Sequence, residues 1–286
     1  MKTPCLPDPD LLSEKDLRSG LGLNSLGKKF YYYPRLESTN DRACLLAEKG
    51  EDEGTVVIAD EQTRGRGRRG RRWLSPPGEG VLMSLILRPL LPPARAGRLN
   101  LLSAVAIASG LEKASGLKIG LKWPNDLIAA GRKVGGVLIE GRAGARKLDF
   151  FILGVGINVN TSSFPPGLEN RAASLRQLAG RKFSRREILA AVLGELGEFY
   201  LASNWKRDFK TVLDLYRERS MILGKTVEVS ARGSFFSARA LDVTEDGELL
   251  VEKAGRGMIK LWHEEVSVQA PLAESASSFS EASSSE

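Results

Sequence analysis

The sequence has almost none of the residues that build soft-metal sites or disulfide frameworks. Its 286 residues include two cysteines, Cys5 and Cys44, and one histidine, His263. Two cysteines exclude a disulfide framework and a cysteine-built zinc site, and one histidine leaves little scope for a histidine-based triad or metal cluster. Long apolar runs are also missing, since polar residues interrupt the longest candidate, 99–111, and about 18 apolar residues are needed to span a bilayer. These absences predict a reduced, cytoplasmic protein with no membrane segment.

Basic residues slightly outnumber acidic residues, and the excess positive charge is concentrated in one segment. The formal net charge is +7, and six arginines fall within the nine residues Arg64–Arg72. A nucleic-acid-binding protein would spread its positive charge over a face or a helix. The concentration in one short segment therefore favours a local anionic ligand.

Apolar periodicity predicts an α+β fold with a mixed, largely antiparallel sheet flanked by helices. The predicted strands cover 30–33, 55–59, 80–87, 118–123, 133–141 and 148–155, and the predicted helices cover 38–49, 94–115, 184–203 and 208–219. The last three of these strands lie too close in sequence for crossover helices, which predicts antiparallel pairing.

The period of the pattern changes at Gly224, which predicts a boundary between two units. Short alternating runs follow, and Asp246-Gly247 is a hairpin signal. We expect a small C-terminal β-barrel there. The predicted organisation is a poorly defined leader at 1–28, a main unit at 29–222, the barrel at 223–269, and a disordered Ser/Glu-rich tail at 270–286.

An arginine- and glycine-rich segment, Gly65–Trp73, is the most informative motif. Its three glycines let the backbone approach a ligand closely, and its arginines can bind carboxylate or phosphate oxygens in pairs. Trp73 ends the segment and can stack on an aromatic base. The segment therefore suits an acid and a nucleotide held side by side. A solvated basic loop or an RNA-binding arm is the alternative explanation of the same composition.

Two further motifs follow predicted strands. Lys122-Trp123-Pro124-Asn125-Asp126 forms a turn, and Lys133 comes seven residues after Asp126 beside Gly135-Gly136. Paired glycines in a buried strand mark close backbone approach, and a lysine there can reach a phosphate as a point charge. Gly154-x-Gly156 lacks the third glycine and the helix start of a dinucleotide fingerprint. Asn158 can instead pair with an adenine edge through its amide.

The order and spacing of these motifs resembles the biotin–protein ligase family over roughly residues 30 to 268. The residues that carry the resemblance are Glu37-Ser38-Thr39-Asn40, Gln62 with the loop at 65–70, the motif at 122–126, Gly131-Arg132-Lys133 with Gly136, and Gly154-x-Gly156-Ile157-Asn158. The C-terminal strands are similar to the family's small C-terminal domain. The resemblance implies a class II aminoacyl-tRNA synthetase-like catalytic domain and an SH3-like barrel.

The resemblance implies the activity of a biotin–[acetyl-CoA-carboxylase] ligase. Such an enzyme joins biotin to ATP, releases pyrophosphate, and keeps biotinyl-5′-AMP bound. It then passes biotin to a lysine of a biotin carboxyl carrier domain, as in acetyl-CoA carboxylase. We expect Mg²⁺ to accompany the ATP phosphates, because the sequence offers oxygen ligands and no soft-metal site. The resemblance leaves open a homodimer.

The resemblance also implies a role for each motif residue. The implied biotin contacts are Ser38, Thr39, Asn40, Gln62, Gly65, Arg66, Gly67, Arg68, Lys133 and Gly136. The implied ATP and adenylate contacts are Arg66, Arg68, Trp73, Lys133 and Asn158. The implied catalytic residues are Arg68 and Lys133, which face the carboxylate and the α-phosphate, and Asp126, which orients or deprotonates the carrier lysine. No protein ligand for a metal is implied.

Three alternatives bear on this interpretation. Some members of the family carry an N-terminal winged helix-turn-helix, but about 28 residues precede the first predicted strand, so we expect no DNA binding. A lipoate ligase or octanoyl transferase is related in fold and also handles an acid and a carrier lysine. A nucleic-acid-binding protein that uses the Arg/Gly loop would show a steep salt dependence and no ATP turnover.

Overall fold

The structure is a computed structural model, and it describes residues 26–143, 148–202, 205, 208–231, 234–262 and 266–269. Almost all of the predicted leader and the whole predicted tail lie outside the described residues. Leu26, at the end of the predicted leader, is buried in the main core. The main unit therefore includes at least one residue before the predicted boundary at residue 29.

One sheet of seven strands forms the centre of the main unit, in the order β1-β2-β3-β7-β6-β5-β4. Its strands are β1 (Lys29–Leu36), β2 (Thr55–Gln62), β3 (Gly80–Leu87), β4 (Gly120–Lys122), β5 (Asp126–Ala129), β6 (Arg132–Ala143) and β7 (Leu148–Asn158). The β1–β2 pair is parallel and every other neighbouring pair is antiparallel. The predicted mixed, largely antiparallel sheet is confirmed.

Helices cover both faces of this sheet. They are α1 (Thr39–Glu48), α2 (Ala96–Ser115), α3 (Leu175–Ala179), α4 (Arg185–Leu201) and α5 (Lys210–Arg219). On one face, α1 packs over a small apolar cluster that includes Val57 of β2, while the alternate residues Val56 and Ile58 point into the main core. Among the described residues, no helix is long and apolar enough to cross a membrane.

The alanine-rich helix α2 is buried along most of its length because it packs very closely on α4. A Cβ at Gly110 would lie 2.8 Å from the carbonyl oxygen of Ala191 and from Cα of Val192. Only a glycine lets the two helix backbones approach so closely. This packing fixes the main core beneath the sheet.

The predicted elements differ from the structure at three places. Strand β1 continues through Pro34, which is tolerated because β1 is an edge strand with no partner on its outer side in the described sheet. The short strand β5 was not predicted, since Pro124 and Asn125 indicate only a turn. Helix α3 was also missed, because it has five residues and little periodicity.

A second sheet follows α5, with strands in the order β11-β10-β9-β8-β12. They are β8 (Thr226–Ala231), β9 (Ser234–Val243), β10 (Leu249–Lys253), β11 (Gly257–Leu261) and β12 (Val266–Gln269). The hairpin predicted at Asp246-Gly247 is confirmed, since it joins β9 to β10 and Gly247 has a φ of 88°. No ladder joins β11 to β12 within the described strands. A closed, SH3-like barrel therefore stays a prediction.

The β9–β10 turn of the second sheet docks on the main unit. The carbonyl oxygen of Gly247 accepts a hydrogen bond from Trp123 Nε1 at 3.0 Å, and Glu245 pairs with buried Arg98 at 2.5 Å. A Cβ at Gly97, in the first turn of α2, would lie 1.9 Å from the carbonyl oxygen of Asp246. The contact is thus backbone against backbone, and it fixes the position of the turn that contains Trp123.

Candidate active site

The first turn of α1 forms a polar cluster with the end of β2. Ser38 caps the helix, and its Oγ accepts a hydrogen bond from the N–H of Asp41 at 3.4 Å. Thr39 donates to Gln62 Oε1 from its N–H at 2.7 Å and from its Oγ1 at 3.1 Å. The structure therefore brings Ser38, Thr39 and Gln62 together.

The same cluster extends across the sheet through a buried serine on β3. Ser84 Oγ lies 2.7 Å from Thr39 Oγ1 and 2.5 Å from Asn40 Oδ1. Asn40 Nδ2 donates to Glu140 Oε2 at 2.6 Å. A Cβ at Gly154 would lie 2.2 Å from Asn40 Oδ1, so this asparagine needs a glycine opposite it. Both the oxygen and the nitrogen of the Asn40 side-chain amide therefore have a protein partner.

The Arg/Gly segment folds back on itself as a narrow hairpin between β2 and β3. The N–H of Gly67 donates to the carbonyl of Arg71 at 2.7 Å, and the N–H of Trp73 donates to the carbonyl of Gly65 at 2.9 Å. Arg69, at the tip, has a φ of 57°, which is uncommon outside glycine. A Cβ at Gly65 would lie 2.8 Å from the carbonyl oxygen of Trp73. Glycine is therefore required where the two limbs meet.

The Trp73 ring packs on the backbone of β7. A Cβ at Gly156 would lie 2.5 Å from Trp73 Cε2, so glycine is needed for this approach. Lys133 Nζ lies 5.5 Å from the centroid of the same ring, which is a cation–π distance. Trp73 Nε1 is buried and has no hydrogen-bond partner within the described residues. That N–H is available to donate to a ligand.

Lys133 and Asp126 form a salt bridge on neighbouring strands β6 and β5. A Cβ at Gly136 would lie 3.2 Å from Lys133 Nζ, so the glycine gives the lysine side chain its space. The two side chains are about one-third and one-quarter exposed, at 34% and 26%. They are therefore accessible to solvent while held against each other.

Positive charge converges on Asp126. Burial is the main cause that lowers the pKa of Lys122, whereas the nearby Asp126 carboxylate raises it. The charges of Arg171, Lys133 and Arg71 add to the lowering of the Lys122 pKa. Lys122 and Lys133 thus lie near one carboxylate, and Arg171 and Arg71 add positive charge at Lys122. Such a cluster can stabilise the phosphates of a nucleotide.

Asn158 lies at the end of β7 and is 4% exposed. Its Nδ2 donates to the carbonyl of Ala173 at 3.2 Å. The loop segment that contains Ala173 also pairs with the start of β6, because the N–H of Ala173 donates to the carbonyl of Lys133 at 2.9 Å. Asn158 and Lys133 are therefore positioned by one segment of backbone.

The two arginines predicted to contact the ligand lie in different surroundings. The sequence predicts Arg66 as a biotin and ATP contact, but the structure places its guanidinium on Asp41, at 2.6 and 2.7 Å. The physical reason is that Asp41 offers two carboxylate oxygens in the planar geometry that guanidinium prefers. Arg68 lies in the short 3₁₀ turn at the tip of the loop and is partly buried.

Three residues of the site were not singled out from the sequence. Ser84 is the only polar residue in the buried strand β3, and this interruption is a signal that could have identified it. Glu140 ends an apolar run in β6 in the same way. Arg171 gave no signal, since it lies in a loop that only the fold brings to Lys133.

The arrangement combines two kinds of recognition in one place. Buried hydroxyl and amide groups around Thr39 and Gln62 suit a small polar ring system. The cations around Asp126, next to Trp73, suit a nucleotide and a carboxylate. A carboxylic acid and a nucleotide can therefore meet between the two groups.

Comparisons with known proteins agree with this chemistry. Residues 32–158 match the biotin/lipoate A/B protein ligase family. The chain is 36% identical to a bifunctional ligase/repressor BirA of Bacillus subtilis, over 90% of this chain and 79% of that protein. It is 31% identical to a biotin–[acetyl-CoA-carboxylase] ligase of Mycobacterium tuberculosis, over 87% of this chain and 92% of that protein.

The fold also resembles a solved biotin protein ligase. A structure of biotin protein ligase from Aquifex aeolicus, in complex with biotin and ATP, superposes with a TM-score of 0.73 and 29% identity. The match covers 85% of this chain and 99% of that protein. Together with the identities above, it shows that the chain belongs to the biotin/lipoate A/B protein ligase family, within its group of biotin–protein ligases.

Proposed function

We propose that the residues described above carry both half-reactions of biotin ligation. The protein is an ATP-dependent biotin–protein ligase, in agreement with its relatives and their solved complexes. The observation that supports the residue assignment is that β7 seats both groups: Gly154 lies against Asn40 of the Thr39–Gln62 cluster, and Gly156 lies against Trp73, whose ring is next to Lys133.

Biotin binds at the cluster formed by α1, β2 and β3. Its urea group offers two N–H donors and one carbonyl acceptor, which Thr39, Gln62 and Ser38 can match. Buried polar groups of this kind reject ligands that leave them unpaired. Asn40 supports this wall through Ser84 and Glu140. Gly136 leaves space on the opposite side of the pocket.

In the first half-reaction, a biotin carboxylate oxygen attacks the α-phosphorus of ATP. The bond from that phosphorus to the oxygen bridging to the β-phosphate breaks, and pyrophosphate leaves with the bonding electrons. Two anions must approach each other, so Lys133, Lys122 and Arg68 stabilise the charge that develops. Trp73 and Asn158 hold the adenine, and Gly65 and Gly67 let the loop backbone approach the ligand. Magnesium enters as the Mg·ATP substrate.

In the second half-reaction, the carrier lysine attacks the carbonyl carbon of biotinyl-5′-AMP. The bond from that carbon to the phosphate oxygen breaks, AMP leaves, and an amide forms. A lysine with a pKa of ~10.4 is mostly protonated at neutral pH, so Asp126 accepts a proton from the attacking amine. Asp126 is held by Lys133 in the structure, and the anionic ligand provides Lys133 with another partner.

The acceptor is the lysine of a biotin carboxyl carrier domain, as in acetyl-CoA carboxylase. A lipoate ligase or an octanoyl transferase would bind a different carboxylic acid. Lipoate and octanoate have no urea group that could pair with the Thr39–Gln62 cluster. Because the reaction consumes ATP, we also propose that the protein acts in the cytoplasm.

A transfer assay with Asp126→Asn tests the division of roles. We expect the variant to form biotinyl-5′-AMP from biotin and Mg·ATP at a rate near that of the parent, and to transfer biotin to a carrier domain at least ~100-fold more slowly. Transfer at the parental rate would remove Asp126 from the reaction. Loss of both steps would show that Asp126 acts earlier, by holding Lys133.

A further inference from the structure

A second basic segment follows the main sheet, outside the site described above. Between residues 171 and 186 the sequence has six basic residues and no acidic residue. Arg185 is buried against Asp60, and Arg171 adds positive charge at Lys122. The other four residues define a basic surface: Arg176 in α3, Arg181 and Lys182 in the loop between α3 and α4, and Arg186 in the first turn of α4.

Neighbouring groups do not neutralise the charges of the basic surface. Within the part of the chain that the structure describes, none of its four side chains has an ion pair. The guanidinium of Arg181 lies 4.1 Å from the centroid of the Phe183 ring, a cation–π contact that leaves the charge in place. Arg181 and Lys182 are exposed to solvent, and Arg176 and Arg186 are partly exposed. The surface therefore presents its positive charge to an anionic partner.

The position of Arg186 is unfavourable for the stability of α4. The N-terminal end of a helix is the positive end of its dipole, where acidic side chains are stabilising and basic ones are not. Arg185 in the same turn has the buried carboxylate of Asp60 as its counter-charge. Arg186 has no ion pair with any described residue. Binding explains a basic residue at this position better than folding does.

The basic surface adjoins the proposed site of transfer. The N–H of Ala173 donates to the carbonyl of Lys133 at 2.9 Å, and the N–H of Arg176 donates to the carbonyl of Val159 at 2.9 Å. Arg176 follows Ala173 by three residues, which span at most about 11 Å. The surface therefore begins close to Lys133, which forms the salt bridge with Asp126.

A carrier domain is large enough to contact Asp126 and the basic surface at the same time. Even a small folded domain of about 50 residues has a radius of gyration of about 10 Å. A domain whose lysine lies at Asp126 therefore extends over neighbouring parts of the ligase. Biotin and ATP are assigned to other residues, so the carrier is the one reactant left for this surface.

The composition of the segment favours a protein partner over a nucleic acid. Proteins that bind single-stranded nucleic acids combine positive charge with aromatic rings on which the bases stack. Phe183 is the only aromatic residue between 171 and 186, and it is 6% exposed, so it offers no ring to a base. Positive charge without a stacking ring fits the acidic face of a protein.

We propose that the basic surface is the docking site for an acidic face of the carrier domain. Complementary charge speeds the encounter of the two proteins and orients the carrier, so that its lysine faces Asp126. The surface takes no part in adenylation, because it binds neither biotin nor ATP. The proposal rests on the proposed function, since it requires a carrier domain as the acceptor.

Steady-state transfer by the double variant Lys182→Glu/Arg186→Glu tests the docking site. The acceptor is a purified biotin carboxyl carrier domain of acetyl-CoA carboxylase, varied at saturating biotin and Mg·ATP. We expect KM for the carrier to rise about ten-fold or more, with kcat and biotin-dependent pyrophosphate exchange within about two-fold of the parent, because charges at the rim of an interface act mainly on association. The difference between the two proteins should shrink with added salt. Folding should be preserved, since Arg186→Glu places an acidic side chain at the positive end of α4.

Two controls show whether the effect belongs to this surface. Lys49→Glu/Lys118→Glu changes the net charge by the same amount at exposed positions that follow α1 and α2, and it should leave KM for the carrier near the parental value. A carrier domain with its exposed carboxylates amidated should have a raised KM with the parent. Lys182→Glu/Arg186→Glu should raise that KM no further, because the complementary charge is already absent.

The outcomes separate the docking site from the proposed function. A parental KM in folded Lys182→Glu/Arg186→Glu, or an equal rise in the control variant, would overturn the docking site while adenylation continued. An RNA or DNA oligonucleotide that binds the parent at ~0.15 M salt but not the double variant, together with a parental KM for the carrier, would make the surface a nucleic-acid site. A parent protein that forms no adenylate, or transfers no biotin to the carrier, would overturn the proposed function and the docking site with it.

Discussion

At the scale of single residues, glycines on β7 decide where the side chains of the pocket lie. Gly154 makes room for the buried amide of Asn40, and Gly156 lets the Trp73 ring rest on the strand backbone. The two glycines are on the same face of β7, because side chains two residues apart in a strand point the same way. One strand thus positions both the proposed biotin wall and the proposed adenine platform.

The first prediction concerns Gly156→Ala. The new methyl group would meet the Trp73 ring at 2.5 Å, so the ring must move away from β7. We expect KM for ATP to rise by about ten-fold or more, and the fluorescence of Trp73 to shift. Gly194→Ala is the matched control, because its Cβ would meet nothing within 4 Å in helix α4. It should leave ATP binding unchanged and stabilise the protein by ~0.5–1 kcal/mol. An unchanged KM in Gly156→Ala would contradict the placement of ATP.

The second prediction concerns the buried charge of Lys122. Burial lowers its pKa from 10.5, so between the lowered value and 10.5 the unfolded chain binds more protons than the folded one. The free energy of unfolding should therefore rise with pH in that window. Lys122→Met should abolish this rise, increase stability at neutral pH, and raise KM for ATP. Denaturant unfolding from pH 7 to 10 measures it, and an identical pH slope in both proteins would refute it.

At the scale of elements, a buried ion pair ties α4 to the end of β2. Arg185, in the first turn of α4, donates to Asp60 Oδ1 at 2.7 Å, and the two side chains are 2% and 11% exposed. Tyr32 donates to the other carboxylate oxygen at 2.5 Å. Burial, followed by this hydrogen bond, raises the pKa of Tyr32 to about 12. Asp60 is two residues from Gln62, so this contact fixes the strand that carries a residue of the proposed biotin site.

The third prediction is that Asp60→Asn destabilises the protein by ~3–5 kcal/mol, because it leaves the buried guanidinium without its counter-charge. Asp214→Asn removes the exposed ion pairs with Lys210 and Arg217 and should cost about 1 kcal/mol or less. Urea unfolding of both variants gives the comparison. A loss of stability in Asp60→Asn no greater than that in Asp214→Asn would show that the buried pair is dispensable.

Local patterns predicted most elements and motifs. The short elements β5 and α3 were missed because their local signals are weak, and the side-chain contacts of Arg66 were missed because they are long-range. The cap at Ser38, the helix α2 and the hairpin at Asp246-Gly247 follow from local chemistry, and each is in the structure. The contact of Arg66 with Asp41 spans 25 residues, and nothing in either segment indicates it. Sequence reasoning assigned Arg66 to the ligand through its motif and the family resemblance, and it could not predict the contact with Asp41, which lies on another element.

At the scale of the whole molecule, the two sheets are joined next to the proposed catalytic residue Asp126. The turn between β9 and β10 holds Trp123 through Gly247, and Asn125 and Asp126 follow Trp123 in the chain. Asn125 is bonded in turn to Val137 of β6 at 2.5 Å. The position of Asp126 therefore depends on the docking of the C-terminal sheet.

The fourth prediction is that Gly97→Ala slows adenylation through this docking contact. The methyl group would lie 1.9 Å from the Asp246 carbonyl oxygen, so the turn must shift and Trp123 loses its acceptor. We expect adenylate formation to slow by ~10- to 100-fold, since a displacement of about 1 Å can have that effect. Gly194→Ala again serves as the control. Parental activity in Gly97→Ala would show that the docked turn does not position the site.

The central claim is tested most directly by following the exchange of labelled pyrophosphate into ATP. The account predicts exchange that requires biotin, that neither lipoate nor octanoate supports, and that falls by ~100- to 1000-fold in Lys133→Met because one stabilising cation is lost. Mass spectrometry of the same reaction should detect biotinyl-5′-AMP. Exchange that proceeds equally well with lipoate, or that is unchanged in folded Lys133→Met, would contradict the account.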